Sequence, residues 1–203
     1  MMGPVYVITD AQAALPVTAQ ILAAAKGGAA LIQIRDKSAS DVELAALIAA
    51  VLPEVTASGA RLIVNDRVDL AISSGAHGLH IGQGDGDPAA IRARIGAAML
   101  LGLSVEAEHH LTRIPAGVDY LGVGPVRATP SKADHAPPIG FDGLARIIAA
   151  TQLPCYAIGG IKPEDAAAVK AAGAAGLAVV SAVARAADPV GATRALAAAW
   201  SKA

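Results

Sequence analysis

The chain has 203 residues and a formal net charge of −1, and 54% of its residues are hydrophobic while only 2% are aromatic. A chain of this length forms one domain or a small pair. Its near-neutral charge gives no electrostatic reason to expect a nucleic-acid partner. No apolar run reaches the ~18 residues that a membrane-spanning helix needs, so we expect no membrane span.

The number of cysteines and the residues at the N-terminus indicate the cellular compartment in which the protein is expected to work. Cys155 is the single cysteine, which excludes an intrachain disulfide and suits a reducing environment. The first residues, Met1 to Pro4, carry no basic segment ahead of an apolar stretch, so we expect no secretory signal. These features predict a cytoplasmic protein, and they leave open whether it forms a homo-oligomer.

Short apolar runs rich in β-branched residues alternate with alanine-rich segments along the whole chain. The predicted strands cover residues 5–9, 31–35, 62–65, 78–82, 100–105, 120–125, 155–159 and 177–181. The predicted helices cover residues 16–26, 40–56, 68–74, 87–96, 106–113, 143–151, 163–172 and 189–200.

This alternation predicts the fold class. Near-continuously apolar strands that alternate with helices indicate a parallel sheet buried on both faces. Eight such units predict an α/β fold, a single-domain (β/α)8 TIM barrel over residues 1–203. An open doubly wound sheet is the alternative, but residues 9–12 lack the glycines expected in its first turn. Residues 126–142 form the longest irregular piece, and such a loop is often functional.

In a barrel, the carboxyl ends of all strands meet at one face, where active sites lie. Strand alternation turns Gln33, Arg35 and Lys37 to the same side of the second strand's end. Two cations and an amide in such an array suit a polyanion, and a planar guanidinium can bind two phosphate oxygens at once. Solvated surface charges are the alternative interpretation.

Two carboxylates follow neighbouring strands. Asp66 and Asp85 are hard oxygen ligands of the kind that Mg²⁺ takes, one or two at a time, beside water and substrate phosphate. The alternatives are a helix N-cap for Asp66 and a turn residue for Asp85. His80, on the fourth strand, is expected to be a structural hydrogen-bonding residue lining the barrel.

A second cluster follows the last two strands, at Gly159-Gly160 and Val180-Ser181. Loops in this position often bind phosphate through backbone N–H groups, and glycine allows close approach. Simple tight turning is the alternative. Two anion sites on one face suggest either two phosphorylated substrates or one bisphosphate.

Taken in order, these segments resemble the thiamine phosphate synthase (thiamine-phosphate pyrophosphorylase) family over nearly the whole chain. The matching segments are Gln33-Ile34-Arg35-Asp36-Lys37, Asn65-Asp66-Arg67-Val68-Asp69, His80-Ile81-Gly82-Gln83-Gly84-Asp85, Gly102-Leu103-Ser104-Val105, Gly124-Pro125 with Thr129-Pro130-Ser131-Lys132, and Ala157-Ile158-Gly159-Gly160-Ile161.

The resemblance implies a Mg²⁺-dependent transferase. It would join 4-amino-5-hydroxymethyl-2-methylpyrimidine diphosphate to 4-methyl-5-(2-hydroxyethyl)thiazole phosphate, or its carboxylate, releasing pyrophosphate and thiamine phosphate. The implied residues for the pyrimidine diphosphate are Gln33, Arg35, Lys37, Asn65, Ser104 and Lys132, of which Arg35, Lys37, Ser104 and Lys132 would be catalytic. Those implied for the thiazole phosphate are Thr129, Ser131, Gly160, Val180 and Ser181. Asp66 and Asp85 would hold Mg²⁺.

The chain departs from the family pattern in three places, of which Glu108-His109-His110, after the fifth strand, is expected to lie away from the ligand. Arg127 stands where an aromatic residue is common, and is expected to add a charge near the thiazole phosphate loop. Ser131 stands where threonine is common and keeps the hydroxyl. Alternative functions are the related thiazole tautomerase, a non-catalytic barrel that binds the same ligands, and another phosphate-handling barrel such as an epimerase or aldolase.

Overall fold

A computed structural model describes residues 2–129 and 136–203. Eight parallel strands pair in chain order and close into a barrel, with the last strand bonded to the first. The strands are β1 (Val5–Ile8), β2 (Leu31–Ile34), β3 (Arg61–Asn65), β4 (Gly78–Ile81), β5 (Leu100–Val105), β6 (Tyr120–Val123), β7 (Cys155–Ala157) and β8 (Gly176–Val179).

The strands are joined by helical connections. The α-helices are α1 (Val17–Gly27), α2 (Asp41–Ala57), α3 (Val68–Ser73), α4 (Pro88–Ile95), α5 (Gly140–Ala149), α6 (Ala166–Ala171), α7 (Ser181–Ala184) and α8 (Pro189–Lys202). Two 3₁₀ helices, Glu108–Arg113 and Pro163–Asp165, complete the set in the described parts of the chain.

The (β/α)8 barrel predicted from the sequence is confirmed. Several strands end one or two residues earlier than predicted, because those residues leave the ladder to form the loops; Gly159, for example, has a φ of 100°. The predicted helix over 106–113 is a 3₁₀ helix, and the one over 163–172 opens with a 3₁₀ turn, as is common in short connections. The four-residue helix α7 was not predicted.

The hydrophobic core has two layers. The larger lies between the strands and the surrounding helices and is built from Val, Ile, Leu and Ala. The smaller fills the inside of the barrel, where the buried rings of Tyr6, Tyr120 and Tyr156 pack edge to face. In the parts of the chain that are described, no helix is both long and apolar enough to span a bilayer.

Glycine makes this interior possible. A Cβ on Gly102 would lie 2.2 Å from Tyr120 Cζ and 2.4 Å from His80 Nδ1. Only glycine therefore lets both rings sit across β5, directly beneath the carboxyl ends of the strands.

Candidate active site

One cavity of about 490 Å³ opens at the carboxyl ends of the strands. The structure brings most of the site residues expected from the sequence together around it. The residues of that set lining the cavity are Gln33, Arg35, Lys37, Asn65, Asp66, Asp85, Ser104, Thr129, Gly160, Val180 and Ser181. Ser131 and Lys132 lie outside the described residues.

The cationic end of the cavity is built on β2 and the residues that follow it. Gln33 is buried, and its amide donates to the Tyr6 hydroxyl. The Arg35 backbone N–H donates to Thr9 Oγ1 at 2.9 Å, which ties this segment to the end of β1. Within the described residues, neither the Arg35 guanidinium nor the Lys37 ammonium forms an ion pair. The charge of Lys37 does act on Asp66 and lowers the pKa of that carboxyl, but two cations that line a cavity and form no ion pair among the described residues are suited to an anionic ligand.

The two carboxylates expected to bind metal lie side by side. Burial, followed by hydrogen bonding and charge repulsion from Asp85, raises the pKa of Asp66 to about 6. Asp85 also accepts from the Gly82 N–H at 2.6 Å, so the turn interpretation of Asp85 and the ligand interpretation are compatible. Asp66 is not the N-cap of α3, because that position is occupied by Arg67.

This pair fits Mg²⁺ by its donor chemistry. Asp66 is half-buried and Asp85 is exposed, and two neighbouring carboxyl groups that repel each other gain from a divalent cation between them; Mg²⁺ needs no more than one or two protein carboxylates. Asp66 also has a φ of 62°, a conformation rare outside glycine and more tolerable for Asp and Asn than for other residues. Among the described residues, no larger group of His, Cys, Asp or Glu gathers as a metal site.

A hydrogen-bonded chain runs through the floor of the cavity. His80 Nε2 lies 3.0 Å from Ser104 Oγ, and His80 Nδ1 lies 3.2 Å from the Tyr120 hydroxyl. The Tyr120 hydroxyl lies 3.0 Å from that of Tyr6, which accepts from Gln33. Burial lowers the pKa of His80 to about 4, so the imidazole is neutral at pH 7. This series of hydrogen bonds fixes the orientation of the Gln33 amide and the Ser104 hydroxyl.

The opposite end of the cavity is formed by backbone after β7 and β8. Gly159 and Gly160 have φ values of 100° and 64°. The backbone N–H groups of Gly160 and Ile161 have no acceptor among the described residues, although both residues line the cavity. Successive free N–H groups of this kind bind anions. Val180 and Ser181 complete this end.

Arg127 lies beside this loop, as expected, but its charge is not free. The guanidinium forms an ion pair with Asp165 at 2.6 Å, and Arg127 is not among the residues that line the cavity. Asp10, at the end of β1, is likewise held by Arg185 at 2.9 Å and does not line the cavity.

Known proteins share both the sequence pattern and the fold of this chain. The model of a family described as thiamine monophosphate synthase matches residues 5–183. The chain belongs to the thiamine monophosphate synthase family. A thiamine-phosphate synthase from Roseiflexus sp. (strain RS-1) is 47% identical over 197 residues, covering 96% of this chain and 84% of the relative. One from Roseiflexus castenholzii is 46% identical over 197 residues, covering 96% and 86%.

A solved structure agrees with the family assignment. The thiamine phosphate pyrophosphorylase from Pyrococcus furiosus superposes with a TM-score of 0.89 at 32% identity, covering 98% of this chain and 96% of that one. The resemblance noted from the sequence motifs is therefore confirmed, and the Pyrococcus furiosus protein shares this barrel over almost its full length.

The sequence alone did not reveal the tyrosine–histidine chain beneath the cavity. Tyr6 and Tyr120 are 114 residues apart, and they meet because both side chains point into the barrel interior from β1 and β6, which are not neighbouring strands. The available signal was the position of each aromatic residue on an inward-facing strand position of an otherwise aliphatic chain.

Proposed function

We propose that this protein condenses the pyrimidine diphosphate with the thiazole phosphate to form thiamine phosphate and pyrophosphate, in a Mg²⁺-dependent reaction. One observation carries the proposal. A single cavity has two cations and a carboxylate pair at one end, and at the other end it has backbone N–H groups that find no acceptor in the part of the chain that the structure describes. The first end suits a diphosphate, and the second suits a monophosphate.

The chemistry requires positioning and charge neutralisation. The bond between the pyrimidine CH₂ and the diphosphate oxygen breaks, and the diphosphate departs with the bonding electrons. The amino-substituted ring delocalises the positive charge left on the carbon, and the thiazole nitrogen attacks that carbon. Arg35 and Lys37 bind the departing diphosphate and stabilise its developing charge. Asp66 and Asp85 would hold Mg²⁺, which when bound supplies further charge neutralisation at the diphosphate.

The neutral floor of the cavity suits a carbocation-like centre. Gln33 and Ser104 are held by the chain through Tyr6, Tyr120 and His80, so they can contact the pyrimidine ring without rearrangement. Because His80 stays neutral at pH 7, it adds no positive charge beneath the reacting carbon. The backbone N–H groups after β7 hold the thiazole phosphate, which fixes its nitrogen toward the carbon.

A turnover assay tests the proposal. Purified full-length protein is mixed with both substrates and with Mg²⁺, then with excess EDTA, while thiamine phosphate and pyrophosphate are measured together. We expect equal amounts of the two products with Mg²⁺ and loss of turnover in EDTA. Binding of both ligands without turnover would instead indicate a binding protein. Isomerisation of a thiazole carboxylate phosphate, without use of the pyrimidine, would indicate the tautomerase.

A further inference from the structure

The side chain of Arg127 joins the loops that follow β6 and β7. Its guanidinium binds both carboxylate oxygens of Asp165, each at 2.6 Å. The same guanidinium donates to the Gly160 carbonyl at 3.0 Å and lies over the Phe141 ring, 5.1 Å from its centroid. A planar fork held on three sides has little freedom to move.

Arg127 donates hydrogen bonds to the carbonyl groups of both Gly159 and Gly160. Its backbone N–H donates to the Gly159 carbonyl at 3.0 Å, and its side chain donates to the Gly160 carbonyl. In a trans peptide the C=O and N–H groups point in opposite directions. The two N–H groups that belong to those peptides, those of Gly160 and Ile161, are therefore turned away from Arg127.

Those two N–H groups are the ones that find no acceptor among the described residues and whose residues line the cavity. Glycine alone does not fix this orientation, because it adopts φ above and below zero with similar ease. Something outside the loop must select the peptide orientation, and Arg127 is the group that contacts both carbonyls.

Asp165 holds the Arg127 guanidinium in place. Its side chain is buried, with 6% of the residue exposed, and it accepts from the Lys162 N–H at 2.9 Å as well as from Arg127. The Arg127 guanidinium, together with these hydrogen bonds, holds the pKa of Asp165 below its usual range, so the carboxylate stays charged. The carboxylate thus ties Arg127 to the first turn of the connection into α6.

We propose that Arg127 and Asp165 are positioning residues that orient the Gly160 and Ile161 N–H groups to bind the phosphate of the thiazole substrate. The proposal rests on the proposed function for the identity of that ligand. Lysine at position 127 would keep the charge, but it cannot reproduce the two parallel bonds to the carboxylate together with the bond to Gly160.

The test is the Kd for each substrate, measured separately by titration calorimetry, so that no turnover is required. In Arg127→Ala we expect the Kd for the thiazole phosphate to rise about tenfold, which corresponds to ~1.4 kcal/mol. The Kd for the pyrimidine diphosphate is expected to stay unchanged, because its site lies at the other end of the cavity. Arg127→Lys retains the charge and serves as a second variant if Arg127→Ala folds poorly. It should also raise the Kd for the thiazole phosphate and leave that for the pyrimidine diphosphate unchanged.

Arg146→Ala is the matched control, because it removes an arginine from an exposed ion pair with Glu108 on the outside of the barrel. It should change neither Kd. Unchanged thiazole phosphate binding in both Arg127 variants, or equal weakening of both substrates, would overturn the positioning role while leaving the proposed function intact. A wild-type protein that binds neither substrate would overturn the proposed function and this proposal with it.

Discussion

Asp66 is expected to lower the free energy of unfolding unless a cation is bound. Burial and the neighbouring Asp85 raise the pKa of Asp66 from 3.8 to about 6, so the folded protein binds this proton more tightly than the unfolded chain does. Stability from this group is full below about pH 4 and is lost as the pH rises through 6. Asp66→Asn removes the charge, keeps the shape and tolerates the positive φ, so it should stabilise the metal-free protein at pH 7.

The size of the effect follows from the same shift. A pKa raised from 3.8 to about 6 corresponds to ~3 kcal/mol for a group shielded from solvent. Asp66 is only half-buried, so solvent screening reduces the expected gain to about 1 kcal/mol. The gain should be much smaller near pH 4, because the folded carboxyl is protonated there and the unfolded carboxyl, with its pKa of 3.8, is about half protonated. Excess Mg²⁺ should reverse the order, because it stabilises only the wild type by binding to the folded state.

Urea unfolding measures all three conditions: EDTA at pH 7, EDTA near pH 4 and Mg²⁺ at pH 7. Asp69→Asn is the control, because Asp69 pairs with Arg94 on an exposed surface and its substitution should respond to neither pH nor Mg²⁺ in this way. An Asp66→Asn variant less stable than the wild type in EDTA at pH 7, or equally stabilised by Mg²⁺, would refute the carboxylate-pair argument.

Three further substitutions test the floor of the cavity and the expected role of Lys132. Gly102→Ala should lower the free energy of unfolding in urea by about 1–3 kcal/mol through overpacking, because the added Cβ would meet the Tyr120 ring. Gly84→Ala is the control, since a Cβ there meets nothing within 4 Å and should leave the urea midpoint unchanged. An unchanged midpoint in Gly102→Ala would contradict the overpacking. Tyr120→Phe should cost ~1–3 kcal/mol by the same assay, because two buried polar groups lose a partner; a neutral result would mean that the hydroxyl chain adds no stability. Lys132→Ala should reduce turnover by about 100-fold with thermal unfolding unchanged; normal turnover would remove Lys132 from the mechanism.

The barrel was predictable because its signals are local. Each strand is a short apolar run that ends at a polar or glycine residue, and parallel strands must deliver those ends to one face. That rule alone gathered Gln33 and Arg35, from the end of β2, and Asp66, from the end of β3, around one cavity. The exact strand ends were less predictable, because loop bonding rather than apolar character decides where the ladder stops.

Contacts between side chains that are distant in the sequence could not be predicted from the sequence. The bond between His80 and Tyr120 depends on the register between β4, β5 and β6 and on the missing side chain at Gly102. The pairing of Arg127 with Asp165 likewise joins residues 38 positions apart. A charge that the sequence suggests is free for a ligand can thus be neutralised by a partner that only the fold supplies.

The two ends of the cavity are expected to bind different substrates, the pyrimidine diphosphate at the cationic end and the thiazole phosphate at the end that follows β7 and β8. The most direct measurement is the pair of KM values in Lys37→Gln, with Lys26→Gln as the control, because Lys26 lies in the last turn of α1 and does not line the cavity. We predict that Lys37→Gln raises the KM for the pyrimidine diphosphate about tenfold or more, leaves the KM for the thiazole phosphate unchanged, and that Lys26→Gln changes neither. A rise confined to the thiazole phosphate, or equal KM values in all three proteins, would show that the cationic end does not bind the pyrimidine diphosphate.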